Sequence, residues 1–243
     1  MTLSFDGTLE GFYTLVHQCY YQKYHPTHIE ASDTTQLSFM DITPITTCME
    51  KSAAVAQAIF KKISEEAALR IYYAFLSHDE SRFMALLAYI KLGFKLGHMV
   101  DSHLTEPCVQ KVHKLAREVG GEAHLLFGFS RFVEGENGVY YSPITPKNNV
   151  LTLVAEHFAT RFGSHPWVVH DKKRHQAAIY NGDAYVITPV PAKVTVTLAP
   201  GETELQGMWK DFLQALTIEA RKNPKLQRQL LPLYFRKNMT EFL

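Results

Sequence analysis

Residues 117–182 constrain the fold more than any other stretch, because there the hydrophobic pattern changes period. A helix is expected from about Glu106, where Pro107 suits a first turn, and Gly120-Gly121 is expected to stop it. Beyond the glycines, residues 124–133 and 139–142 read as aromatic and aliphatic strands, with Asn137-Gly138 as the hairpin turn between them. A helix then starts at Asn148 or Asn149, both capping types, and ends at Phe162 before Gly163. Residues 167–171 and 176–180 form a hairpin around Lys172-Lys173-Arg174, Asn181-Gly182 turns again, and residues 185–187 offer one more short strand. The order β-β-α-β-β predicts an antiparallel sheet with the helix across one face.

Upstream, residues 3–5 suggest a strand, residues 8–20 a helix and residues 36–45 a short strand limited by Pro44. Three helical pieces follow at 50–63, 65–76 and 81–94. Downstream, residues 189–201 read as a linker in which KVTVTL is a candidate edge strand. A last long helix is expected over 204–221, with Leu205, Met208, Trp209, Phe212 and Leu216 on one face. The expected class is therefore α+β: a mostly helical scaffold over 1–121, then an α+β unit with C-terminal helices over 122–243, packed as one globular body.

Charge and cysteine usage narrow the function. With 25 Lys and Arg against 24 Asp and Glu, the net charge is +1, so no global basic field advertises nucleic acid, although the chain turns basic beyond Arg221. Cys19, Cys48 and Cys108 are odd in number and far apart, which argues against a disulfide framework or a cysteine-held metal and fits a reducing cytoplasm. His17, His25 and His28 lack further ligands at an instructive spacing and read as surface histidines, so no metal and no cofactor is expected. Lys91 and Lys95 interrupt the best apolar run, and no membrane span is expected.

The candidate residues are polar side chains near apolar stripes. On the central helix, Val150, Val154, Phe158 and Phe162 form the stripe, and His157 and Arg161, four residues apart, project together at its edge. Arg161 requires an anion, either a protein carboxylate such as Asp171 or a ligand phosphate. Lys172, Lys173 and Arg174 form a solvated turn or a phosphate grip, and Arg131 sits among Phe127, Phe129 and Phe132 as part of a core or of a base-stacking platform. Glu219 falls on the apolar stripe of the last helix, where a carboxylate needs a partner or a raised pKa. Beyond it Arg221, Lys222, Lys225, Arg228, Arg236 and Lys237, interleaved with Tyr234 and Phe235, form the best local nucleic-acid footprint.

The blocks VGGEAHLLFGFSRF, PITPKNNVLTLVAEHFATRF, WVVHDKKRHQAAIY and MWKDFLQALTIEARKNPKLQRQLLP, with the opening FDGTLEGFYTLVHQCY, resemble a bacterial family of DNA repair or DNA-metabolism proteins built on a domain of unknown function. The matching positions include Glu122, His124, Arg131, Phe132, His157, Phe158, Arg161, Phe162, Asp171, Arg174, Trp209, Glu219, Arg221, Asn223 and Pro224. In that family the domain is sometimes fused to a uracil-DNA-glycosylase-like domain and tends to be encoded beside a radical SAM protein. The resemblance thus implies a DNA-repair setting by association, with those proteins as partners and no mechanism. Gly121, where relatives often carry a basic residue, and Leu233-Tyr234, where a basic pair is common, depart from the pattern.

Three functions stay open on these residues. In the first, a DNA-binding accessory module working with a radical SAM partner contacts phosphate through Arg131, Arg161, Lys172, Arg174, Arg221, Arg228 and Arg236, while Asp171 and Asn223 serve structural pairing. In the second, an enzyme acting on DNA or a nucleotide uses Glu219 or His157 as general acid or base and Arg161 to steady negative charge. The third is a protein–protein adaptor without DNA contact.

Overall fold

The computed structural model describes residues 1–31, 42–191 and 193–242. It is an α+β chain that divides into two compact units, Met1–Gly120 and Gly121–Leu243.

The first unit opens with β1 (Thr2–Phe5), α1 (Leu9–Tyr21), β2 (His28–Ala31) and β3 (Ile42–Pro44). β1 lies between β2 and β3 and is parallel to both. Parallel neighbours need a crossover, and α1 supplies it between β1 and β2. β1 answers the strand expected over 3–5, and β2 was not expected; of the strand expected over 36–45, residues 36–41 lie outside the described residues, and Ile42–Pro44 is strand. Four helices follow, α2 (Met49–Lys62), α3 (Glu65–Phe75), α4 (Arg82–Leu96) and α5 (Pro107–Phe129). Thr8 and Ser64 cap α1 and α3, their hydroxyls accepting from Gly11 N at 2.9 Å and Ala67 N at 3.0 Å. Phe5, Phe12, Phe75 and Phe83 form the aromatic centre of the core, with Phe5 edge-on to Phe83 at 4.9 Å.

α4 and the 3-10 turn after it, Arg82–Ser102, are long and apolar enough by composition to cross a membrane. Phe83, Leu86, Leu87, Tyr89 and Ile90 are nonetheless buried in this core. The same turn carries Asp101, which accepts from Arg70 of α3, from Tyr89 of α4 at 2.7 Å, and faces His113 Nε2 of α5 at 2.8 Å. One carboxylate thus ties three helices together.

The second unit contains β4 (Val133–Glu134), β5 (Tyr140–Ile144), α6 (Leu151–Phe162), β6 (Trp167–Asp171), β7 (Gln176–Tyr180) and β8 (Tyr185–Pro189), followed by α7 (Glu202–Leu216), α8 (Pro224–Leu230) and α9 (Leu233–Arg236). The sheet order is β4-β5-β6-β7-β8. Leu151, Val154, Ala155 and Phe158 are the buried face of α6, and Trp167, Val169 and Ala178 are buried in the sheet. α6 ends where Gly163 takes φ 58°, and the Gly163 carbonyl accepts from the Tyr180 hydroxyl at 2.8 Å.

Three expectations are corrected here. The sheet is mixed, because β5 and β6 run parallel while the other neighbours are antiparallel. α6 lies between them as a crossover, so the two strands cannot close as a hairpin. Second, residues 124–129 are helical, since α5 runs through Gly120 and Gly121 to Phe129. Neither glycine has positive φ, and a Cβ on Gly120 would meet the Tyr73 ring at 3.3 Å, so Gly120 serves a close approach rather than a stop. Val112, Leu115, Val119, Ala123 and Leu126 are buried and keep the helical spacing across the pair. Third, the last long helix stops at Leu216, where the Thr217 hydroxyl turns back to Leu213 O at 2.7 Å and Ile218 is extended. Its apolar face is largely exposed: Leu205 57%, Met208 60%, Phe212 52% and Leu216 63%.

Candidate nucleic-acid interface

A concentration of cationic side chains forms at the carboxyl ends of the parallel strands β5 and β6. Ile144 and Asp171 lie side by side there, and Lys172 N donates to Ile144 O at 3.0 Å, extending the ladder into the turn. Asp171 is fully buried; its Oδ1 accepts from Lys173 N at 3.0 Å and Arg174 N at 3.3 Å, bending the chain back toward β7. His175 completes the turn at φ 53°. The other carboxylate oxygen accepts from Arg174 Nη1 at 2.8 Å, and Arg174 Nη2 donates to Lys147 O at 2.6 Å. Asp171 therefore pairs with Arg174, three residues on, and not with Arg161.

Arg174 thereby joins the turn after β6 to the loop after β5. Lys173 Nζ reaches the same Lys147 carbonyl at 3.3 Å, and the Lys147 ammonium lies 5.2 Å from the centre of the Tyr234 ring. Beneath the loop, buried Glu122 accepts from Lys147 N, Asn148 N and Asn148 Nδ2, each at 2.8 Å, and from the Tyr234 hydroxyl at 3.2 Å. Burial, and then the Glu122 carboxylate, push the Tyr234 pKa up, so its hydroxyl stays a donor. Asn238 Nδ2 holds the loop from the C-terminal side through Thr145 Oγ1 at 3.1 Å.

The result is a fixed edge carrying Lys147, Lys172 and Lys173 in solvent and Arg174 half-buried. α6 begins at the same edge, with no side-chain cap at Val150, so its first amides add positive potential. Crevices outside the carboxyl ends of parallel strands are common anion sites for this reason.

A second cluster lies on one face of α5 and α6. His157 stacks on Phe127 at 4.1 Å with an 11° interplanar angle, and His124 meets the edge of Phe127 at 6.1 Å. Burial, then the nearby charges of Arg161 and His124, hold the His157 pKa below its ordinary value. A neutral imidazole can accept a proton. Arg161 is exposed and has no carboxylate partner among the described residues.

The remaining candidates separate from these clusters. Arg131 Nη2 donates to Glu241 Oε1 at 2.6 Å and its guanidinium lies 5.7 Å from the Trp209 ring, so its charge is answered within the unit. Burial pushes the Glu241 carboxyl up, but the Arg131 bonds outweigh this and hold it below the usual carboxylate range. Glu219 does not face a core: its side chain is 78% exposed in a 3-10 turn and pairs with Lys222 at 2.6 Å. Asn223 caps α8 by accepting from Leu226 N at 3.0 Å. Arg221 and Arg228 are exposed, and Arg228 Nε donates to Pro224 O at 3.2 Å. Arg236 turns inward over Phe242 at 4.7 Å. Sequence reasoning placed Tyr234 in the C-terminal basic run rather than at the fixed edge and did not single out Lys147; the cue for Lys147 was its place between the strand-ending Pro146 and the helix-opening Asn148.

The profile of a family described as a domain of unknown function, DUF4130, matches residues 80–241. No curated protein matches the chain.

Proposed function

We propose, from the premise that the chain belongs to the DUF4130 family, that its second unit binds nucleic-acid phosphate and works as an accessory module in DNA repair or DNA metabolism. The observation that carries this reading is the fixed basic edge, where Lys147, Lys172, Lys173 and Arg174 converge beside the uncapped start of α6. Cationic side chains held by backbone carbonyls and a buried carboxylate suit phosphate, so the reading is of sequence-independent backbone contact. Arg161, Arg221 and Arg228, exposed on the same unit, are the candidates for extending the contact. The radical SAM partner and the uracil-DNA-glycosylase-like protein suggested by the sequence resemblance belong to this proposal as its setting, and co-purification with each tests them.

The direct test is a salt titration of affinity for labelled single-stranded and duplex DNA, with the full chain and with a triple variant, Lys147→Ala, Lys172→Ala, Lys173→Ala. Each lost phosphate contact should lower the slope of log affinity against log salt by about 0.9 on duplex or about 0.7 on single strands. Binding with a steep slope that flattens in the variant supports the reading. Absence of binding at low salt, or an unchanged slope in the variant, overturns it.

A further inference from the structure

The opposite, amino-terminal ends of β5 and β6 hold a cavity of a different chemistry. Glu136 N donates to Thr197 O and Ala199 N to Glu134 O, each at 2.9 Å, so the chain after β8 runs along the free edge of β4. Between that segment and the sheet is a cavity of about 510 Å³, lined by Val139, Tyr141, Val168, residues 194–197 and, from the β4–β5 turn, Glu136 and Asn137. Four of the nine described residues lining it are valines, and its size falls in the range of small-molecule sites.

The floor carries one polar device. Tyr141 lies beside Val168 across the β5–β6 ladder, and His170, two residues on from Val168, shares their face of the sheet. Tyr141 Oη and His170 Nδ1 are 2.8 Å apart. His170 is 1% exposed, and its Nε2 has no hydrogen-bond partner among the described residues. Burial raises the Tyr141 pKa and lowers that of His170, where nearby Lys172 adds to the effect, so both groups are neutral at pH 7.

Charge selects the occupant. Among the described residues lining the cavity, Glu136 is the charged one, and no Lys or Arg lines it. A phosphate or carboxylate ligand would meet repulsion there; an amine would meet a counter-charge. We propose that this cavity binds a small amine with an apolar body, the body between the valines, its cationic group toward Glu136 and its inner edge against the Tyr141 hydroxyl that His170 holds. The site is independent of the basic edge, which carries the opposite charge at the other end of the same strands.

Tryptamine, with indole-3-acetate as its anionic counterpart, tests this on the full chain with labelled valine methyls. The expected result is saturable shifts of Val139, Val168, Val194 and Val196 with tryptamine and none with indole-3-acetate at the same concentrations. Glu136→Gln, an exposed turn substitution, should weaken tryptamine about tenfold, and Tyr141→Phe should weaken it by a similar factor. An unchanged Val154 methyl signal reports that each variant is folded. Absence of saturable shifts, an equal response to indole-3-acetate, or affinity unmoved by both substitutions overturns the proposal.

Discussion

One carboxylate oxygen of Glu122 accepts both the backbone N–H and the side-chain Nδ2 of Asn148, each at 2.8 Å. The other accepts from Lys147 N at 2.8 Å. A residue of α5 thereby fixes the loop that presents Lys147 and starts α6.

Glu122→Ala should cost about 3–5 kcal/mol, because buried amides of the loop lose their acceptor. Glu122→Gln should be nearly as damaging, since one of its two oxygens becomes an NH2 facing a backbone N–H. Chemical denaturation of the three proteins measures this. A Gln variant of wild-type stability would show that the bonds to Lys147 N and Asn148 contribute little.

Arg131 and Glu241 are 110 residues apart in sequence and joined by two bonds, Nε at 3.2 Å and Nη2 at 2.6 Å. Arg131 also donates to Gly128 O at 2.9 Å. Lys cannot reproduce that fork, so Arg131→Lys should destabilise by about 1–2 kcal/mol. Arg131→Gln, which removes the charge, should leave the salt slope of DNA binding unchanged, because that charge is already paired with Glu241. A lowered slope would return Arg131 to the phosphate contacts.

The sheet of the second unit was legible where alternation and turn chemistry agree. Residues 167–171 and 176–180 were read at their observed bounds, since Lys172 through His175 cannot continue either strand. The direction of β5 against β6 was not legible, because alternation looks the same in parallel and antiparallel pairs and only the crossing of α6 decides it. Gly120-Gly121 misled for a related reason: glycine marks helix ends and close helix packing alike, and Tyr73 determines which applies at Gly120. At the site, the cationic turn was visible, but its second half was not. Lys147 lies 25 residues away in sequence, and it is Glu122 and Arg174 that bring its loop alongside. Glu219 was misplaced because a wheel drawn through Thr217-Ile218 assumes a helix that the chain leaves at Leu216.

His157 titrates below its ordinary value through burial first and Arg161 second. Arg161→Leu should therefore raise its pKa part of the way back toward 6.5, as read from the imidazole Cε1 proton by NMR. In linkage terms a histidine with a depressed folded pKa withholds its proton from the native state, so stability is lost as pH falls below the unfolded value. Arg161→Leu should shrink that loss. An unchanged His157 pKa would show that the guanidinium points away from the ring.

Below the histidine range, acid stability should rest on Asp101 and Asp79 in the first unit. Burial pushes Asp101 up, but bonds from Tyr89 and His113 and the charge of Arg70 outweigh it and hold it below 3.8; Lys111 and Ser81 hold Asp79 at about 2. Both folded values lie below the unfolded ones, so the stability they give is complete above about pH 5 and is lost as pH falls toward 2. Solvent reaches the Asp79–Lys111 pair, which keeps its share to about 1 kcal/mol. Asp101→Asn should cost about 2 kcal/mol at pH 7, since Arg70 loses its counter-charge. The gap to wild type should narrow as Asp101 itself protonates, which denaturation midpoints at pH 7, 5 and 3 would follow. A gap independent of pH would assign the loss to packing of the amide rather than to the charge.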